Sequence, residues 1–383
     1  MTPKQAATKY HWIRYNEDTN EIDLFCDHQM LSTLRQCEAK FQLEHILNIR
    51  PKGHKAWNLV FGAWLHYCIE VYYNSIKNDP DGKPLNVLDF TKYARGKWEE
   101  MNLDAYKDEP KYEDVGGWNG ALALIIEYYA YYMEQRMRVV ACEIPFGFEK
   151  EVFLGRFTLE GLQVIPDNII LDDNNVHKRW SDCKVNCFLT GRIDMLADNG
   201  SLIGPVDHKH THIFRGDEYD KFNPHDGLTG YIYATNAIIK RYFPDYKNNC
   251  STGWIYHIQG KAPSVERKTK ILRPRFKGSR VDKTPSQMRE YADRQITSFK
   301  RIASMLFQDE IPQWATNACS NMYGRVCEYR EIHRQSSEYW PKTVETYYHI
   351  TEAWNPLKPE ESLIARDDVM NAMKSEAVAV QEE

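Results

Sequence analysis

The stretch GRIDMLADNGSLIGPVDHKHT, residues 191–211, constrains the chain more than any other part of it. Two apolar runs, CFLTGRIDML (187–196) and LIGPVDHK (202–209), flank Asp-Asn-Gly-Ser, which has the composition of a tight hairpin turn. Asp194 falls near the end of the first run, and Asp207 and Lys209 close the second, two residues apart. Side chains at i and i+2 of a strand share a face. Asp207 and Lys209 are therefore expected to point the same way, with Asp194 brought beside them by the hairpin. Two carboxylates on adjacent strands make a hard-oxygen site suited to Mg²⁺ or Mn²⁺. A lysine next to them can orient a water and stabilise charge developing on a phosphate. The plain alternative is a solvated hairpin end, because D-x-K alone is common. A charged triplet closing an apolar run, opposite G-R-I-D, is much rarer.

Around the hairpin the apolar period changes. Residues 1–29 are mixed and polar and are expected to form a poorly ordered lead-in. From Ser32, Leu34, Cys37, Phe41 and Ile46 recur at helical spacing. Further helices are predicted over 57–76 and 121–137, the second apolar nearly all round and so expected to be buried. Strand patterns follow at 147–154, in the two hairpin runs and at 253–259, with a helix at 225–242 between them and an amphipathic helix at 285–307. This order gives an α/β layout with a mixed sheet flanked by helices. N-terminal helices would occupy 30–140, the core 141–260, and a basic segment with a C-terminal helix 261–335, leaving 336–383 as a peripheral tail.

Composition narrows the classes. Apolar residues are 42% and charged residues 27% of 383, ordinary for a globular chain. No run approaches the ~20 apolar residues that span a bilayer, and the opening MTPKQAATKYHW lacks the apolar core of a signal peptide. The expectation is a cytoplasmic protein with no membrane partner. Net charge is −5, which argues against a protein that simply coats nucleic acid. One stretch runs the other way: residues 261–283 carry nine Lys or Arg against one Glu and one Asp. Lys261, Arg273, Arg275 and Lys277 in it are candidate nucleic-acid contacts, and a solvated surface hairpin is the competing reading.

A second helical feature is FGAWLHYCIEVYY (61–73). Gly62, His66 and Glu70 are spaced by four and share one face. Gly62 would let another group approach closely. His66 is a candidate metal ligand, against the commoner case of a lone buried core histidine.

Taken in order, Ser32-x-Leu-x-x-Cys-x-x-x-Phe41, Gly62-x-x-x-His-x-x-x-Glu70, Gly191-Arg-Ile-Asp194, Val206-Asp-His-Lys209 and Leu228-Thr-Gly-Tyr231 resemble the RecB-like branch of the PD-(D/E)XK nuclease superfamily. That branch includes recombination helicase–nucleases, CRISPR adaptation exonucleases and many phage-encoded exonucleases. The resemblance spans roughly residues 30–335. It implies a restriction-endonuclease-like core, with His66, Asp194 and Asp207 as metal ligands, Lys209 as the catalytic lysine and Tyr231 on the substrate side. It further implies a Mg²⁺- or Mn²⁺-dependent exonuclease acting on linear duplex or single-stranded DNA in recombination, repair or phage DNA processing, in a bacterial or phage-infected cell. A helicase or single-strand annealing partner would fit such a role, since no G-x-x-x-x-G-K-[ST] loop is present. The pattern departs at Gly227, where the family usually carries the Gln of Q-x-x-x-Y. An inactive nuclease-fold subunit that binds DNA or supports assembly is the second expectation. Some relatives also hold an iron–sulfur cluster on four cysteines. Cys37, Cys319 and Cys327 match three of those positions and His333 stands near the fourth, a set that suits Zn²⁺ better than iron–sulfur. Buried apolar cysteines are the competing reading.

Overall fold

The long strand β8, Lys184–Asp198, organises the molecule, because every sheet neighbour of the site is placed by it. The computed structural model describes residues 1–53, 57–78, 83–133, 137–147, 151–159, 169–171, 177–179, 183–200, 202–212, 214, 226–242, 246, 249–261, 275–308, 310–313, 327–351 and 355. In chain order the leading elements are α1 (Pro3–Lys9), β1 (Ile13–Asn16), β2 (Glu21–Asp27), α2 (His28–Gln36), α3 (Glu38–Phe41) and β3 (Ile49–Pro51). The helices α4 (Trp57–Asn78), α5 (Val87–Glu100), α6 (Pro110–Val115) and α7 (Gly117–Met133) come next. Then follow β4 (Arg138–Phe146), β5 (Val152–Thr158), the short pair β6 (Ile169–Leu171) and β7 (His177–Arg179), β8, β9 (Ile203–Thr211), α8 (Asp226–Tyr242), β10 (Thr252–Gln259), β11 (Phe276–Asp282) and α9 (Pro285–Phe307). The chain closes on α10 (Arg330–His333), α11 (Trp340–Tyr347) and β12 (Tyr348–Ile350).

The main sheet runs β1-β2-β8-β9-β10-β11, with β4 and β5 also on β8. The first half of β8 pairs with β2 in parallel and with β5 antiparallel; its second half pairs with β4 and β9 antiparallel. β9 then runs parallel to β10. The sheet is thus mixed and flanked by helices on both faces, the α/β class expected from the pattern. One face packs against α4, α5 and α7 through Trp64, Tyr128, Val206, Trp254 and Tyr256. The other packs against α2, α8 and α9 through Leu34, Ile193, Ile255, Ile232 and Phe299. The change of partners along β8 falls at Gly191, where an added Cβ would come within 2.8 Å of the Phe146 ring. The hairpin to β9 is closed by Asn199, whose amide donates to the Leu202 carbonyl, and by Gly200 in the left-handed region at φ 89°.

The structure departs from the sequence expectation at the edges. Residues 1–29 are not a loose lead-in. Thr2 and Gln5 form a capping box with Pro3 in the first turn of α1, and β2 buries Ile22, Leu24, Phe25 and Cys26 beside β8. The basic stretch is not a surface hairpin where it is described: Phe276–Asp282 is the edge strand β11, so β10 is not the last core strand. β4 differs from the expectation as well: it fills the gap between the helix expected to end at 137 and the strand expected from 147. α7 ends at Met133 and leaves Ile126 and Tyr131 exposed. Part of the presumed tail is tied down: β12 pairs with β3, and Tyr348 packs with Leu43, Ile49, Tyr329 and Ile332.

Candidate active site

Strands β8 and β9 pair from Asp198–Ile203 to Met195–Val206 and then part. One step beyond the last pair, Asp194 faces Asp207 across the opening. The Asp194 carboxylate takes the place of the missing ladder bond: its Oδ2 accepts the backbone N–H of His208 at 2.8 Å. On the other side of β8, β4 pairs Cys142 with Met195 and Ile144 with Ile193, so Glu143 lies opposite Asp194. Three carboxylates, Glu143, Asp194 and Asp207, therefore stand side by side on three neighbouring strands.

Alternation breaks in this row. Ile193 packs on the α8 side and Met195 on the α4 side, and Ile144 and Cys142 divide likewise. In a regular strand residues two apart share a face. Glu143 has φ 47°, the left-handed region, which costs a non-glycine residue about 1 kcal/mol or more. That turn brings the Glu143 carboxylate to the site instead of burying it in a helical layer.

Helix α4 contributes His66, whose Nδ1 is 3.6 Å from Asp194 Oδ2. One ligating atom each from His66, Glu143 and Asp194 lie within 4.8 Å of one another, and among the described residues no other such trio occurs. Carboxylates with one imidazole suit a hard divalent ion. Among the described residues nothing lies within 4 Å of a Cβ added at Gly62, one turn earlier on α4.

The charges are set by burial and by each other. Burial alone would raise Asp194; the His66 imidazole, the bond from His208 and Lys209 outweigh it and hold the carboxyl well below the usual range. At Glu143 the balance goes the other way. Burial, then Asp194 and Glu70, push it up to about 8 against the pull of Arg192, whose Nη1 is 3.3 Å away. Burial and Asp194 likewise raise Asp207 despite Lys209. Lys209 Nζ donates to Asp207 Oδ1 at 2.8 Å, and the two aspartates hold its proton more firmly than usual although burial opposes them. Tyr231 on α8 completes the rim, its hydroxyl pushed up by burial and by Asp207, Asp194 and Glu143.

Behind the site runs a buried polar chain that the sequence did not signal. His208 Nε2 and the Tyr128 hydroxyl share a hydrogen bond of 2.8 Å, and Tyr128 bonds Tyr73 at 3.2 Å. His208 Nδ1 lies 3.7 Å from Asp194 Oδ2, and burial pushes this imidazole's pKa down although Asp194 opposes it. The chain fixes His208, whose backbone amide in turn fixes Asp194.

The other sequence candidates fare unevenly. Arg275 is not a surface cation: it is 6% exposed and bonds Glu127 (3.1 Å) and the Gly260 carbonyl (2.9 Å), a structural clamp between α7 and the end of β10. Lys261 Nζ is held by Asp114 at 2.7 Å and Lys277 lies over the Phe214 ring at 4.7 Å. Arg273 and Cys319 lie outside the described residues. Cys37, Cys327 and His333 come into no shared ligand set among the described residues. Cys327 packs against the small apolar cluster of Tyr329 and Tyr348, so iron–sulfur or zinc has no support here. Glu143 was missed because a lone charge inside VVACEIPF reads as helix end or solvated strand; its one signal is a carboxylate in an otherwise apolar run.

A mixed sheet whose central strands part around carboxylates and a lysine defines a class of metal-dependent phosphodiester-cleaving enzymes. The family model of the PD-(D/E)XK nuclease superfamily matches residues 28–332, most of the chain, and the chain belongs to that superfamily. A search of curated proteins finds no match.

Proposed function

We propose that the protein is a Mg²⁺- or Mn²⁺-dependent deoxyribonuclease of RecB-like type that degrades linear DNA from its ends. The observation that carries this reading is the row Glu143–Asp194–Asp207 with His66 and Lys209 around it. His66, Glu143, Asp194 and Asp207 would hold the ion. Once bound, it would polarise the scissile phosphate and make the attacking water more acidic. Lys209 keeps its proton at neutral pH, so its part is to steady negative charge on the phosphate while Asp207 holds its ammonium in place. Tyr231, beside the carboxylates on α8, would orient the sugar–phosphate without the help of the glutamine that Gly227 replaces. RecB-like membership is supported by the order of the five sequence motifs, and end-dependent action by the nature of that branch.

The test compares linear duplex, linear single-stranded and covalently closed circular DNA, each with Mn²⁺ and with EDTA. Progressive loss of the linear substrates with Mn²⁺, with circles spared, is expected. Equal attack on closed circles would overturn the end-dependence. No cleavage of any substrate would favour a nuclease-fold subunit that binds DNA without cutting it.

A further inference from the structure

Two residues along β9 from the carboxylate row, a second row crosses the sheet. Lys209 on β9 pairs with His257 on β10, and His257 pairs with Lys277 on β11. Directly paired residues share a face. Here it is the face toward α8, since Ile255 and Val281, an even number of positions away on the same strands, pack there. β11 is the edge of the sheet; Lys277 on it is half-buried, and His257 between the two lysines is buried beneath the surface. Strand spacing puts Lys277 about 10 Å from Lys209, two strand steps away.

Phe214 lies over the outer half of this row. Its ring meets His257 edge-on at 6.4 Å, and the Lys277 ammonium sits 4.7 Å from its centre. The Phe214 backbone N–H donates to the Gln259 side chain at 2.9 Å, which fixes the ring against β10. An anchored, half-buried aromatic beside a cation, continuous with a phosphate-handling lysine, is the combination that holds an unpaired nucleotide: the phosphate on the ammonium, the base on the ring.

Building on the nuclease reading above, we propose that Lys277 and Phe214 form a subsite for single-stranded DNA, taking the phosphate and base that follow the scissile position. The strand enters over the β11 edge and runs along Lys277 to Lys209. Duplex ends must then fray before they reach the carboxylates.

The test measures binding of a fluorescent single-stranded oligodeoxynucleotide to the full-length protein in EDTA by anisotropy, over a salt series. Lys277→Met should weaken binding several-fold and reduce the salt slope by about 0.7, one phosphate contact on a single strand. Phe214→Leu should cost at least about fivefold on the single strand and leave a blunt duplex within twofold. Arg280→Met removes the same charge from the opposite face of β11 and should change neither; if Lys277→Met does not fold, Phe214→Leu decides. An unchanged affinity and slope in Lys277→Met, an equal loss in Arg280→Met, or a larger loss on RNA of the same sequence would overturn the subsite. Wild type that cuts DNA with Mn²⁺ while these variants bind normally overturns the subsite alone; wild type that neither binds nor cuts overturns the nuclease reading with it.

Discussion

Glu143 is the residue at which local cost and site chemistry meet. It occupies a left-handed backbone position in a strand, it is half-buried, and that burial, with Asp194 and Glu70 beside it, raises its carboxyl to about 8. A folded pKa above the unfolded one contributes stability that is fully present below about 4.5 and is lost as pH rises through about 8. In protein stripped of metal, wild type should therefore lose stability between pH 5 and 8 relative to Glu143→Gln, whose melting temperature should overtake it by pH 8. Parallel curves would show that Glu143 is not held in this way. The same substitution should weaken Mn²⁺ binding at least tenfold by calorimetry, and unchanged binding would remove Glu143 from the ligand set. Tyr128 offers a second residue-scale check. Tyr128→Phe leaves His208 Nε2 buried without its bond, at about 1–3 kcal/mol, readable in a urea melt. No loss of stability would mean the Tyr128–His208 bond is absent in solution.

At the level of elements, Asp207, Lys209 and the hairpin were legible because strand period and turn chemistry are local properties of the sequence. α9 was legible to its ends, since Thr284, Pro285 and Gln287 spell a capping box over a clear apolar period. What the sequence hid was pairing. That Glu143 falls beside Asp194 depends on β4 joining the far side of β8, a contact between distant segments with no local signal. Arg275 misled for the same reason: in sequence it belongs to a basic run, in space it clamps α7. Arg275→Met should destabilise the fold by about 1–3 kcal/mol through the orphaned, buried Gly260 carbonyl, with DNA affinity unchanged within twofold. A loss of affinity without loss of stability would return Arg275 to the DNA surface.

For the whole molecule, the α/β class and the span of the nuclease fold followed from the order of helical and strand periods together with the motif order. The N-terminal segment did not, because β2 finds its place by pairing with the distant β8, and β1 by pairing with β2. Two helical layers hold β4, β8 and β9 rigidly enough for three carboxylates to be kept close together where the strands part, an arrangement that like charges alone would spread. The role proposed for that cluster is hydrolysis of phosphodiester bonds. The most direct measurement is the rate of linear DNA degradation at saturating Mn²⁺ by wild type, Asp207→Asn and Lys209→Met. Wild type should cleave and both variants should fall at least a hundredfold, with melting temperatures close to wild type; cleavage by the variants at the wild-type rate would contradict this role for the cluster.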